Sequence, residues 1–150
     1  MASESGAQAL RLMAMDEDDL AILSAHVQDA VLHVRDMLFQ PRERRFILAL
    51  HRYDWIRTNA HLRVQAGLHF EHVRKAALHG FSQDRPDDIL NLLSIVFAPG
   101  DAPSGEIVLT FSGGCAIKLE VECIEGRLAD LGPRWPCKHA PEHARAAGEA

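Results

Sequence analysis

"FSGGCAIKLEVECIEGRLADLG", Phe111 to Gly132, is the stretch on which the reading of the fold turns. Its first half has a period of two. Ile107, Leu109 and Phe111 alternate on one strand, Ser-Gly-Gly supplies the positive-φ positions of a tight turn, and Ile117, Leu119 and Val121 alternate on the return. From there the spacing becomes helical: Val121, Ile124, Leu128 and Leu131 stand three, four and three residues apart. Gly132 and Pro133 follow where a helix stops. The stretch therefore predicts a strand that hands over to a short closing helix.

Working towards the N-terminus, period-two segments dominate. "VLHVRDMLFQ" and "RRFILALHRYDW" flank "PRER" as a hairpin, with a bulge expected near Asp36 where the apolar phase slips from Val34 to Met37. "RVQAGLHFE" alternates Val64, Ala66, Leu68 and Phe70 with polar residues. "HVRKAALHG" fits a strand or a short helix, while "DDILNLLSIVFAPG" and "GEIVLTF" are apolar enough for well-covered strands. "ALRLMAMD" predicts a short first strand. "DEDDLAILSAHVQDA" predicts a helix with Asp16 as N-cap, acidic residues in its first turn, and Leu20, Leu23 and Val27 on its apolar side. Together these give an α+β fold: a mainly antiparallel curved sheet or partly closed barrel with one N-terminal and one C-terminal helix. A sheet closed by a terminal helix is similar in topology to the pleckstrin-homology-like architecture.

The 150 residues suit one domain over 9–132, with a disordered N-terminus at 1–8 and a flexible tail at 133–150. A net charge of −5 gives no overall basic field for nucleic acid or an anionic membrane. No apolar run reaches the roughly 20 residues of a membrane span. The N-terminus lacks the pattern of a signal peptide, and three cysteines form no disulfide framework. The expectation is a cytoplasmic protein.

The segments "LRLMAMDEDDLAILSAHVQDAV", "FQPRERRFILALHRYDW", "RVQAGLHFEHV", "NLLSIVF" and "IVLTFSGGCAIKLEVECIEGRLADLG" carry a family resemblance. Across roughly 10–132 the chain resembles a group of short alphaproteobacterial proteins, the domain of unknown function 2948. That family has no established activity, so the resemblance implies no catalytic residue, ligand or cofactor.

The remaining candidates rest on residue chemistry. Arg42, Arg44 and Arg45 at the hairpin tip are suited to bidentate contact with phosphate or carboxylate, and Tyr53 and Trp55 nearby could stack on a single-stranded base. The same arginines also suit a solvated turn that keeps an edge hairpin soluble. Cys137, His139 and His143 in the tail are ligands of the kinds zinc uses, set against a plain proline-spaced tail. His33, His51 and His69 fall on the phase opposite the apolar residues, where neighbouring strands could gather them into a metal or proton-transfer site. Cys115 follows a Gly-Gly turn that could lower its pKa, but no histidine is near it in sequence; Cys123 fits a buried small hydrophobe. The Asp16–Asp19 run lacks the spacing of a calcium loop.

With no nucleophile–base pair, phosphate loop or dinucleotide fingerprint, the sequence points to a non-enzymatic domain. Such a domain would bind a protein partner or a small anion through its sheet face or the Arg42–Arg45 hairpin. The alternatives are a metal-dependent or histidine-based enzyme and self-association through a strand edge. No cofactor is required, with zinc the alternative in the tail.

Overall fold

The computed structural model describes residues 9–55 and 62–136, with side chains through 132. In chain order the elements are β1 (Arg11–Ala14), α1 (Glu17–His26), β2 (Val31–His33), a 3₁₀ turn (Val34–Asp36), β3 (Met37–Gln40) and β4 (Arg45–Tyr53). There follow β5 (Leu62–Phe70), β6 (Val73–His79), β7 (Ile89–Pro99), β8 (Gly105–Phe111), β9 (Cys115–Val121) and β10 (Gly126–Pro136).

All pairings among the described strands are antiparallel, and they run in one path, β1-β10-β5-β4-β2-β7-β8-β9-β6, with β3 paired to β4. The path does not close on itself. β7 belongs to both halves: Ile89, Leu90 and Asn91 pair with β2, and from Leu92 onward the strand pairs with β8. The chain also passes between halves at the β5–β6 corner. We therefore treat β1, β10, β5, β4, β2 and β3 as a first sheet and β7, β8, β9 and β6 as a second. Their inward residues, such as Leu48, Leu68 and Phe70 from one and Leu109, Ile117 and Leu119 from the other, share a single apolar core.

α1 starts where the sequence places it. Asp16 is extended at φ −148°, and its Oδ1 accepts the Asp19 backbone N–H at 2.8 Å, while Asp19 Oδ2 accepts that of Met15 at 3.1 Å. This reciprocal cap accounts for the acidic run without a metal. Leu20, Leu23 and Val27 enter the core, and the helix packs against β1 and β7.

The "PRER" hairpin is present, with Gln40 opposite Arg45. The "SGG" turn has Gly113 and Gly114 at φ 77° and 79°, a region open to glycine at little cost. Near Asp36 the expected bulge is a 3₁₀ turn that divides the strand in two. Residues 73–79, ambiguous in the sequence, form a strand.

The expected C-terminal helix is absent, and one helix stands where two were predicted. The 3.6-like stripe is a coincidence of three sources. Val121 ends β9, Ile124 lies in the connection, and Leu128 is inward on β10. Leu131 sits in the register shift between Asp130 and Arg134. Gly126 explains the choice of strand: a Cβ there would stand 2.8 Å from the Phe70 ring, so β10 lies close against β5 only with glycine at that position. The resulting strand fills the gap between β1 and β5, and the terminal helix of the pleckstrin-homology-like analogy has no counterpart at this place.

Candidate functional site: the outward face of the first sheet

Alternation sends Leu48, Leu50 and Leu68 inward and leaves Ile47, Ala49, His51, Gly67 and His69 facing out. The register builds this outward set into rows. Met13 stands opposite Arg127, Arg127 opposite His69, His69 opposite Ile47, and Ile47 opposite Leu38. Beside that row Arg11 faces Ala129, which faces Gly67 and then Ala49. Leu131 lies across Gly67, where a Cβ would meet its Cδ1 at 3.3 Å. At the far edge His33 faces Ile89.

Four large apolar side chains on this face are open to solvent: Met13 at 50%, Leu38 at 53%, Ile89 at 63% and Leu131 at 61%. β7 is accordingly not the well-covered strand its composition suggests. Five strands at about 4.8 Å spacing and eight residue steps along β4 at about 3.3 Å give a face of roughly 19 by 26 Å, or about 500 Å². Within that footprint the exposed apolar side chains are set among Arg11, Arg127, His69 and His51, and exposed apolar side chains grouped on one face of a soluble domain mark a candidate interaction site.

The arginine and aromatic candidates lie at opposite ends of β4. Tyr53 is on the outward phase but fully covered, with Trp55 edge-on at 4.8 Å and the Arg63 guanidinium 6.0 Å from its ring. Trp55 donates its Nε1–H to the Gln28 carbonyl at 3.0 Å. Arg63 donates to the His51 carbonyl at 3.0 Å. The Tyr53 ring is thus covered, and Trp55 is half-buried beside it.

At the other end, the hairpin arginines are engaged by carboxylates from distant segments. Arg44 is ion-paired with Glu122, and Arg45 Nε donates to Glu71 at 2.8 Å. His69 Nδ1 lies 2.7 Å from Glu71, His72 Nε2 lies 2.9 Å from Glu125, and Arg127 is 3.2 Å from Glu125. Arg45, His69, Glu71, His72, Glu125 and Arg127 line a concavity of about 380 Å³ at the corner between the sheets. Burial works to raise the Glu71 carboxyl, but hydrogen bonds from Arg45 and His69 outweigh it and hold the group below the usual glutamate range. Arg44 and His72 both adopt positive φ, 54° and 60°, and the corner is tied by Val73 N–H to the Arg44 carbonyl and Glu122 N–H to the His72 carbonyl. The cluster fastens one sheet to the other. Arg42 is exposed in the turn.

His33, His51 and His69 do share the outward face, yet they do not converge. His51 and His69 stand opposite residues four apart on β5 and β4, a separation of about 13 Å. Among the described residues no three His, Cys, Asp or Glu side chains are arranged to hold a metal. Cys137, His139 and His143 lie outside the described residues. Cys115 and Cys123 are free, and Cys115 donates its thiol to the Gly80 carbonyl at 3.4 Å.

One polar pair escaped the sequence reading. The side chains of Arg52 and Asp130, each 1% exposed, are joined through Nε and Nη2 of Arg52 at 2.9 Å, and Asp130 also accepts the Leu10 backbone N–H at 2.8 Å. The signal was available, because Arg52 continues the inward phase of Phe46, Leu48 and Leu50. A charge on that phase requires a buried counter-charge. The bidentate pair locks β4 to β10 beneath the outward face.

A family model described as "Protein of unknown function (DUF2948)" matches residues 10–143. No curated protein and no solved structure matches the chain.

Proposed function

We propose that this chain, which belongs to the DUF2948 family, is a non-catalytic domain that docks a protein partner on the outward face of its first sheet. The reading rests on one observation. Met13, Leu38, Ile89 and Leu131, four of the seven large apolar side chains exposed among the described residues, lie on that single face. A sheet buries an apolar face against another layer, and here the inner face has its layer, while among the described residues nothing covers Met13, Leu38, Ile89 and Leu131 on the outer one. The anion reading is weaker, because Arg44 and Arg45 already hold glutamates. Free Cys115 and Cys123 suit the proposed cytoplasmic setting. Among the described residues no helix is long and apolar enough to cross a membrane.

The test is site-specific photocrosslinking in the source cell. A crosslinker at Ile47 or Leu131 is expected to trap one discrete partner, and Leu131→Asp to abolish the adduct from Ile47 without lowering the melting temperature. Equal trapping from Lys118, on the outer side of the second sheet, would overturn the proposal.

A further inference from the structure

We infer that the segment seated on this face is an amphipathic helix whose apolar stripe is flanked by carboxylates; this deepens the reading just given and rests on it. The chain holds 21 acidic against 16 basic residues, yet the outward strand positions of the first sheet, from Arg11 on β1 to Asn91 on β7 and through Leu131 on β10, include no Asp or Glu. They do include Arg11, Arg45 and Arg127, together with His33, His51 and His69. Arg45 is neutralised by Glu71 and Arg127 is paired with Glu125, whereas exposed Arg11 has no ion pair among the described residues. Arg11 and Arg127 are diagonal neighbours across β1 and β10, at the margin of the apolar area around Leu131, Ala129 and Gly67.

The complement of such a face is apolar at its centre and negative at its margins. Its roughly 26 Å length along β4 matches about 17 residues of helix, and its roughly 19 Å width accommodates a helix of about 10–12 Å diameter with room for flanking side chains on either side. A second copy docked face to face is disfavoured. It would bring together two faces that each carry Arg11, unpaired among the described residues, and that offer no carboxylate at their outward strand positions to meet it.

The test uses two synthetic 18-residue peptides with one shared leucine stripe, flanked by Glu in the first and by Lys in the second, titrated into the full chain and followed by amide chemical shifts. The Glu peptide is expected to shift resonances of β4, β5 and β10, to bind at least tenfold more tightly than the Lys peptide, and to weaken as salt is raised. Arg11→Glu, at an exposed site, is expected to narrow that preference; Arg11→Gln gives a milder check should the reversal disturb folding. If both peptides bind this face equally, the acidic partner is overturned while the docking face stands. If neither peptide shifts it, or the shifts fall on the second sheet, the docking face itself is overturned. A concentration-dependent dimer in sedimentation that protects the same residues would make the occupant a second copy and overturn the inference.

Discussion

Across the outer side of the second sheet, Lys75 stands opposite Glu120 and Glu120 opposite Glu106, with Lys118 on the same face. The corresponding row of the first sheet reads Met13, Arg127, His69, Ile47, Leu38. Both rows come from the same alternation, and both are the sides turned from the core. The second carries charges of both signs and one exposed large aliphatic, Val96. The first, with Ile89 from the part of β7 that pairs with β2, carries four large apolar side chains and no acid at its outward strand positions. Period two determines which residues face outward; it does not determine whether the outward set suits water. The inner sides differ too, since the second sheet contributes Leu109, Ile117 and Leu119 while the first includes the Arg52–Asp130 pair.

The largest expected effect breaks that inner asymmetry. Asp130→Ala strands a buried guanidinium and should cost about 3–5 kcal/mol in denaturant unfolding. The double change Arg52→Met, Asp130→Leu should recover a large part of it, because removing both charges removes the desolvation cost. A loss under 1 kcal/mol for Asp130→Ala would show that the pair does not hold β4 to β10.

Next comes the close approach of β10. Gly126→Ala should cost roughly 1–3 kcal/mol, since its Cβ would press on the Phe70 ring. Lys118→Ala on the outer side of the second sheet should stay within about 0.5 kcal/mol.

Acidity should act on the first sheet through His26. Burial pushes its pKa down and the Arg52 charge adds to this, against Asp54 and Asp130, which raise it. Its Nδ1 is buried without a hydrogen-bond partner among the described residues. The folded chain thus resists protonation of this imidazole. As pH falls below about 6.5 the unfolded chain binds a proton that the folded chain resists, so stability declines. A melting series from pH 7.5 to 5.5 should show a steeper fall for the wild type than for His26→Gln.

The smallest stability effect sharpens the outer comparison most. Leu131→Gln and Ile89→Gln should each change stability by less than about 0.5 kcal/mol, and each should reduce crosslinking to the partner. A loss above 2 kcal/mol would mean that these side chains serve the fold.

Local signals were legible where local chemistry decides. Asp16 caps α1, Pro41–Arg44 turns the hairpin and Gly113–Gly114 turns the next. The alternation of Val64 to Phe70 gave the correct buried face. What failed depends on partners far along the chain. Val121 to Leu131 looked helical because residues from a strand end, a connection and a bulge fell by accident at helical intervals. The outward apolar grouping needs the strand order to exist at all: Met13 and Leu38 share a row only because β10, β5 and β4 lie between them. Arg42 and Arg44 are exposed at the hairpin tip and Arg45 is half-buried at the start of β4, but the glutamates that pair with Arg44 and Arg45, Glu122 and Glu71, arrive from other elements.

The position of β10 also bears on how the molecule is made. Residues 126–136 form a strand in the middle of the first sheet, flanked by β1 and β5, so a chain emerging from the ribosome has those two neighbours long before it has the strand that joins them. Until then β1 and β5 each present an unpaired edge, and Arg52 waits without its carboxylate. The second sheet, whose β7, β8 and β9 are consecutive hairpins, can form first. Completion of the first sheet is a late, long-range step of the kind that slows folding and leaves sticky edges exposed.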